Sequence, residues 1–149
     1  MLTRLLAATL HLLGMAIALG SIYARARALR RPLDPQGLAR VFAADSWWGV
    51  SFFLLVGTGL WRALSALEKG AAYYFGNPLF HAKLGVLVLI LALELWPMLT
   101  LIRWRIASRR GEMIDKSAAP RFAVISDIQT LLIIVMVSLA TAIARGVRP

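Results

Sequence analysis

Apolar residues gather into four long stretches along this chain, with shorter polar connections between them. The stretches run roughly over residues 2–23, 47–67, 79–102 and 122–144. About 20 helical residues cross the ~30 Å hydrocarbon core of a bilayer, because an α-helix rises ~1.5 Å per residue. The pattern therefore predicts an all-α membrane protein, an antiparallel up-down bundle of four transmembrane helices in a single domain over residues 1–149.

Prolines and turn residues set the expected ends of these helices. The first helix is predicted to continue beyond the membrane and to stop before Pro32, since proline disfavours helix in the residue that precedes it. Asp34 followed by Pro35 predicts an N-cap and a first helical position. The helix that begins there either lies at the cytoplasmic interface or runs straight into the second span. Pro97 is expected to kink the third span.

Composition and charge support residence in the membrane. The chain is 60% hydrophobic, against about 45–50% in soluble domains. Its net charge of +10 does not indicate nucleic acid binding, because the basic residues flank the spans. Two connections hold most of them: Arg25, Arg27, Arg30, Arg31 and Arg40 in the first, and Arg103, Arg105, Arg109, Arg110, Lys116 and Arg121 in the second.

The positive-inside rule predicts that these two arginine-rich connections are cytoplasmic. Both termini then face the periplasm of a bacterial inner membrane, and the basic connections are expected to contact anionic lipid headgroups. The absence of cysteine excludes disulfides, thiolate metal sites and thiol nucleophiles.

Helical spacing predicts which polar residues face the bundle. In the first span His11 lies opposite a bulky leucine stripe and on the same side as Gly14 and Ala18. Small residues mark close helix contacts in membranes, so His11 is predicted to point inward. In the fourth span one side carries a polar stripe that is predicted to face other helices or water. The stripe consists of Asp127, Thr130, Ser138, Thr141 and Arg145.

Depth sorts the intramembrane polar residues into two layers. Asp45, Glu94 and Asp127 form a cytoplasmic layer with Arg25, Arg40, Arg103 and Arg121 nearby. These carboxylates are interpreted either as buried partners of arginine or as a proton path through Glu94 and Asp127.

The outer layer consists of His11, Arg62 and Lys83, with Tyr73 or Tyr74 as a further candidate. The two basic side chains either snorkel to the interface or hold an anionic group such as a porphyrin propionate or a lipid phosphate. His11 either ligates heme iron or makes a hydrogen bond between helices. His81 is interpreted as an interface residue, and two histidines are not taken as a metal site.

Several motifs resemble those of a family of four-helix bacterial inner-membrane proteins designated a domain of unknown function. They are Ala44-Asp45-Ser46-Trp47-Trp48-Gly49, Thr58-Gly59-Leu60-Trp61-Arg62, Asn77-Pro78-Leu79-Phe80 and Arg103-Trp104-Arg105. The layout is also similar to HemJ-type protoporphyrinogen IX oxidases and to CopD-like membrane domains. The HemJ-type resemblance implies heme b as cofactor, with His11 and Lys83 at the matching positions. The sequence around His11 lacks the Ser-Trp and glycine-rich run of those enzymes.

Three hypotheses for function follow. In the first, the chain is an accessory subunit that forms a homo-oligomer or joins a larger membrane complex. In the second, it is a heme-binding or tetrapyrrole-linked oxidoreductase that uses His11, Arg62 and Lys83. The third is a small transporter or channel that uses the polar stripe of the fourth span. No phosphate-binding loop or nucleophile–base arrangement is present, which argues against kinases and hydrolases.

Overall fold

A computed structural model describes residues 2–64 and 75–147. Over these ranges the chain forms four α-helices and no strand. They are α1 (Leu2–Leu29), α2 (Pro35–Leu64), α3 (Pro78–Arg110) and α4 (Ala119–Ala144). Each is long and apolar enough to cross a membrane, which confirms the predicted all-α, four-span architecture. The predicted end of the second span, at residue 67, lies outside the described residues.

The helices extend further than the apolar stretches, so the two arginine-rich connections are short. α1 ends at Leu29 and α2 begins at Pro35. Asp34 Oδ1 accepts a hydrogen bond from the Gly37 backbone N–H at 2.6 Å, which confirms the predicted N-cap. The helix after this cap runs straight into the second span instead of lying on the interface. α3 has 33 residues and is therefore about 50 Å long, so it projects beyond the hydrocarbon core.

The helices follow one another around a ring. α1 packs against α2 and α4, and α3 packs against α4, whereas the contact between α2 and α3 is the least extensive. At one end Lys116 Nζ donates to the Leu33 carbonyl at 2.6 Å and joins the two arginine-rich connections. At the other end Asn77 Nδ2 donates to the Val147 carbonyl at 3.3 Å. In the connection before α4, the backbone N–H of Ser117 lowers the pKa of the Asp115 carboxyl.

Two apolar clusters hold the bundle together at different depths. The first is near the middle of the bundle and consists of Ala18, Ile22, Trp48, Ile90, Ile133 and Met136. The second is at the end with the two arginine-rich connections and consists of Ala28, Leu29, Leu38, Val41, Leu101, Trp104, Ala119, Phe122 and Ala123. Between these clusters each of the four helices contributes a polar or charged residue to one hydrogen-bonded group: Arg25, Asp45, Glu94 and Gln129. The core is therefore two apolar layers with a polar layer between them.

Candidate functional site

Arg25 is the centre of the polar layer. Its side chain is 0% exposed, and its guanidinium bonds to all three other helices. Nη1 donates to Asp45 Oδ1 at 2.9 Å and to Glu94 Oε1 at 2.6 Å. Nη2 donates to Glu94 Oε2 at 2.6 Å and to Gln129 Oε1 at 3.0 Å, and Nε donates to Ser126 Oγ at 3.1 Å. All five N–H groups of a guanidinium thus have an acceptor.

A second set of contacts completes this Arg25 cluster. Gln129 Nε2 donates to Glu94 Oε2 at 2.9 Å and to the Ile90 carbonyl at 3.2 Å. Arg105 Nη2 donates to Asp45 Oδ2 at 3.4 Å. Two carboxylates therefore face two guanidinium groups, and the formal charge of the cluster sums to zero. A neutral, hydrogen-bonded arrangement is the form in which charges persist at low dielectric.

Asp127 differs from the prediction that it is buried with Glu94. Its side chain is 43% exposed, and it pairs with Arg30. Each helical residue is rotated by about 100° from the one before it. Ser126 and Gln129 occupy the inner side of α4, so Asp127 falls on the outer side. The structure does not bring Glu94 and Asp127 together.

The polar stripe of the fourth span lies on the outside of the bundle. Ser138, Thr141 and Arg145 are exposed on the surface of the chain, and Thr130 is only partly buried. The hydroxyl groups of Thr130, Ser138 and Thr141 each donate to the carbonyl four residues earlier in the helix. A hydroxyl that is satisfied by its own helix backbone does not require a partner helix or water.

His11 is buried, and it faces α2. It lies on the inner face of α1 with Ala7, Gly14 and Ala18, all of which are buried, in agreement with the inward orientation predicted. Its Nδ1 lies 2.8 Å from Thr58 Oγ1. A side chain added at Gly59 would meet His11 Cε1 at 3.5 Å. This is an ordinary van der Waals distance, so Gly59 lies directly beside the imidazole.

The hydrogen bonds of Thr58 assign the tautomer of His11. The Thr58 hydroxyl donates its one hydrogen to the Leu54 carbonyl at 2.6 Å. Thr58 Oγ1 must then accept from His11 Nδ1–H, because a hydroxyl has a single hydrogen and two lone pairs. In a neutral imidazole of this tautomer the nitrogen lone pair is on Nε2.

Arg62 and Lys83 lie at the same end of the bundle as His11. Arg62 is four residues after Thr58, on the same face of α2 and about one turn nearer the outer end. Its positive charge acts electrostatically on Lys83, which is half-buried in the first turns of α3. His81 is exposed, and its Nε2 donates to the Phe75 carbonyl at 2.9 Å. Its partner therefore lies in the connection that precedes α3. The other candidates for the outer layer, Tyr73 and Tyr74, lie outside the described residues.

Sequence reasoning missed the central role of Arg25 and the parts played by Ser126, Gln129 and Thr58. Arg25 was assigned to the connection after the first span because it begins a run of arginines. A signal was nevertheless present in the spacing of the inner face of α1. Buried residues recur there at intervals of three or four, and the same face includes His11, Ala18, Ile22 and Arg25. Continuing that face beyond residue 23 identifies Arg25 as an inward residue.

Comparison with known proteins identifies the family of the chain but assigns no activity to it. The family that matches residues 3–148 is described as "Predicted membrane protein (DUF2214)". The chain belongs to this family. No match was found among curated proteins or among solved structures. The family match covers nearly the whole chain and agrees with an integral membrane protein in contact with the lipid bilayer.

Proposed function

We propose that this DUF2214 protein binds heme b in its outer layer and that His11 ligates the iron. The observation that carries the proposal is the buried imidazole of His11, oriented by Thr58 through Nδ1. Ligating histidines commonly donate one ring nitrogen to an oxygen acceptor, which fixes the orientation and the tautomer of the ring. Among the described residues no group of three or more potential ligands could hold a metal ion. A heme needs only axial ligands from the protein, so one oriented histidine fits this cofactor.

Arg62 and Lys83 are proposed to hold the heme propionates. Propionates are carboxylates, and basic side chains at one end of a bundle favour anionic groups there. The resemblance to HemJ-type enzymes supports the same pair of positions, His11 and Lys83. When bound, the heme would supply one-electron redox chemistry. The chain itself would contribute the axial imidazole, the basic contacts and an apolar setting that excludes water.

An absorption spectrum tests this proposal directly. The full chain is expressed with heme supplementation, purified in mild detergent, and measured oxidised and then reduced with dithionite. The expected result is a strong Soret band that shifts on reduction, with a heme content close to one per chain. A spectrum without a Soret band after supplementation would remove the proposal.

We further propose that the protein resides in a bacterial cytoplasmic membrane with both termini in the periplasm. The support is that both arginine-rich connections lie at one end of the bundle, where Lys116 bonds to the Leu33 carbonyl. Arginine and lysine collect on the cytoplasmic side of membrane proteins. The chain has no cysteine, so single-cysteine variants can be labelled without background. In intact spheroplasts a membrane-impermeant maleimide is expected to label Val147→Cys and to spare Ser117→Cys until the membrane is opened. The reverse labelling pattern would invert this orientation.

The accessory-subunit hypothesis stays a prediction, and the loose contact between α2 and α3 is its best support. Gly57 on α2 and Gly85 on α3 are exposed, and a side chain added at either would meet nothing within 4 Å. Small exposed residues are where a neighbouring membrane helix can approach. Bifunctional cross-linking of Gly85→Cys in native membranes is expected to give a discrete larger band, whereas Leu131→Cys on α4 gives none. Equal cross-linking of both variants would count against a specific partner.

The transporter or channel hypothesis also stays a prediction. The stripe on α4 that motivated it contributes no water-filled path within the described part of one chain, because its hydroxyls face outward and bond to their own helix. An oligomer that placed α4 at its axis is the arrangement that this hypothesis would require.

A further inference from the structure

A groove on the outside of the bundle runs between α1 and the beginning of α2. Its volume is about 840 Å³. Glycine and alanine form its floor, since two faces of small residues meet there without filling the space between the helices. Along α1 the apolar part runs from Ile17 to Ala28, which is about 16 Å of helix. The groove is therefore long, narrow and apolar, as an acyl chain requires.

Three arginines surround the cytoplasmic end of this groove. They are Arg27 and Arg31 on the α1 side and Arg40 on the α2 side. All three are exposed. Within the described residues none of them forms an ion pair with a carboxylate, whereas Arg25, Arg30 and Arg105 each do. No acidic residue lines the groove, so its cationic end lacks a counter-charge from the chain.

Aromatic residues set the depth of the groove in the bilayer. Tyr23 and Trp47 flank it, and both are exposed. Tyrosine and tryptophan collect at the level of lipid headgroups. Arg27 lies one turn beyond Tyr23, and Arg40 lies two turns before Trp47, both on the side of the arginine-rich connections. The arginines are thus at headgroup depth, and the apolar floor continues from them toward the membrane centre.

We propose that this α1–α2 groove is a binding site for an anionic phospholipid. The phosphate lies among Arg27, Arg31 and Arg40, and one acyl chain occupies the groove over its small-residue floor. Basic pockets between transmembrane helices suit such lipids because charge and apolar surface are adjacent. The groove faces away from the Arg25 cluster and from His11, so the site is independent of the proposed heme.

Lipid retention in native mass spectrometry tests the site. The purified full chain is titrated with phosphatidylglycerol and, separately, with zwitterionic phosphatidylcholine in mild detergent. Phosphatidylglycerol is expected to bind more tightly and with one predominant adduct. Replacing all three groove arginines by glutamine is expected to weaken its binding by about five-fold for each arginine removed. The matched control replaces Arg103, Arg110 and Arg121, which are exposed but outside the groove, and is expected to retain the lipid.

A second variant tests the apolar floor of the groove without changing its charge. Ala24→Leu with Ala43→Leu fills the floor, and both alanines are exposed, so the fold should tolerate the change. This variant keeps every arginine, yet it is expected to lose the predominant phosphatidylglycerol adduct. Equal loss in the groove and control arginine variants, or full retention after the floor is filled, would overturn the proposal.

Discussion

Arg25→Met is expected to lower the free energy of unfolding by about 3–5 kcal/mol, because it leaves two carboxylates buried without their shared partner. Arg25 supplies five hydrogen bonds that join α1 to the other three helices. Without it, Glu94 keeps only its hydrogen bond from Gln129, and Asp45 keeps only Arg105. Thermal unfolding of the purified protein in detergent, followed by circular dichroism, measures the loss.

The matched control for this prediction is Arg30→Met. Arg30 also pairs with an aspartate, Asp127, but the two side chains are 40% and 43% exposed. Exposed ion pairs contribute little to stability because solvent screens them, so this variant should unfold close to the parent protein. Arg25→Lys is expected to fall between the two, because an ammonium group has three donors and cannot bond both oxygens of Glu94 as a guanidinium does.

A double variant distinguishes loss of packing from loss of charge. Arg25→Met together with Glu94→Met removes one charge of each sign from the cluster and leaves Asp45 with Arg105. Apolar replacement of a whole buried pair is often neutral or stabilising, so the double variant is expected to be more stable than Arg25→Met alone. If Arg25→Met were as mild as Arg30→Met, the cluster would not hold the bundle in register.

The spans and the orientation of individual side chains could be predicted from the sequence, because both depend on one helix at a time. Apolar length gives a span, and the spacing of small residues predicted that His11 faces inward. The partners of the buried carboxylates could not be predicted in the same way. Arg25, Arg40, Arg103 and Arg121 were all near enough in depth to pair with Glu94. Choosing Arg25 requires the rotation of α1 relative to α3, which no single helix encodes.

Whether Asp127 is buried could not be predicted from the sequence either. Its position in an apolar stretch suggested burial, since an ionised group in a membrane is costly. The cost is avoided here because Asp127 is near the N-terminal end of α4, beside the arginine-rich connections, where Arg30 pairs with it. Hydropathy gives depth only to within a turn or two, so it does not distinguish a buried carboxylate from one at the interface. The direction that the hydroxyl stripe faces is also ambiguous in the sequence. Its hydroxyls bond to their own helix backbone, and no sequence pattern distinguishes such hydroxyls from those that bond to another helix.

The two polar layers have different consequences when they are altered. Arg25 and His11 lie on one face of α1, 14 residues and therefore about 21 Å apart. The Arg25 cluster is neutral, and all five N–H groups of Arg25 have acceptors, so its role is to fix the relative register of the helices. The outer layer instead combines an oriented imidazole with positive charge from Arg62 and Lys83. An effect on stability is expected from the first layer, and an effect on a bound ligand from the second.

His11→Ala is expected to abolish the Soret band of the purified protein, because it removes the proposed axial ligand of the heme. The other histidine in the chain, His81, provides the control. His81 is exposed and bonds to the Phe75 carbonyl, so His81→Ala should keep the full heme content. Both variants are purified in parallel with heme supplementation, and pyridine hemochrome absorbance relative to protein gives the occupancy.

Thr58→Val tests whether the hydrogen bond between His11 and Thr58 affects the absorption spectrum of the heme. Valine has nearly the shape of threonine but cannot accept the His11 Nδ1–H bond, so the imidazole loses its orientation and part of its basicity. Loss of such a supporting partner typically weakens metal binding about 10–100-fold. The expected result is lower heme occupancy with a shifted reduced spectrum, at unchanged thermal stability within about 1–2 kcal/mol. Full occupancy in His11→Ala, or equal loss in His81→Ala, would contradict ligation by His11.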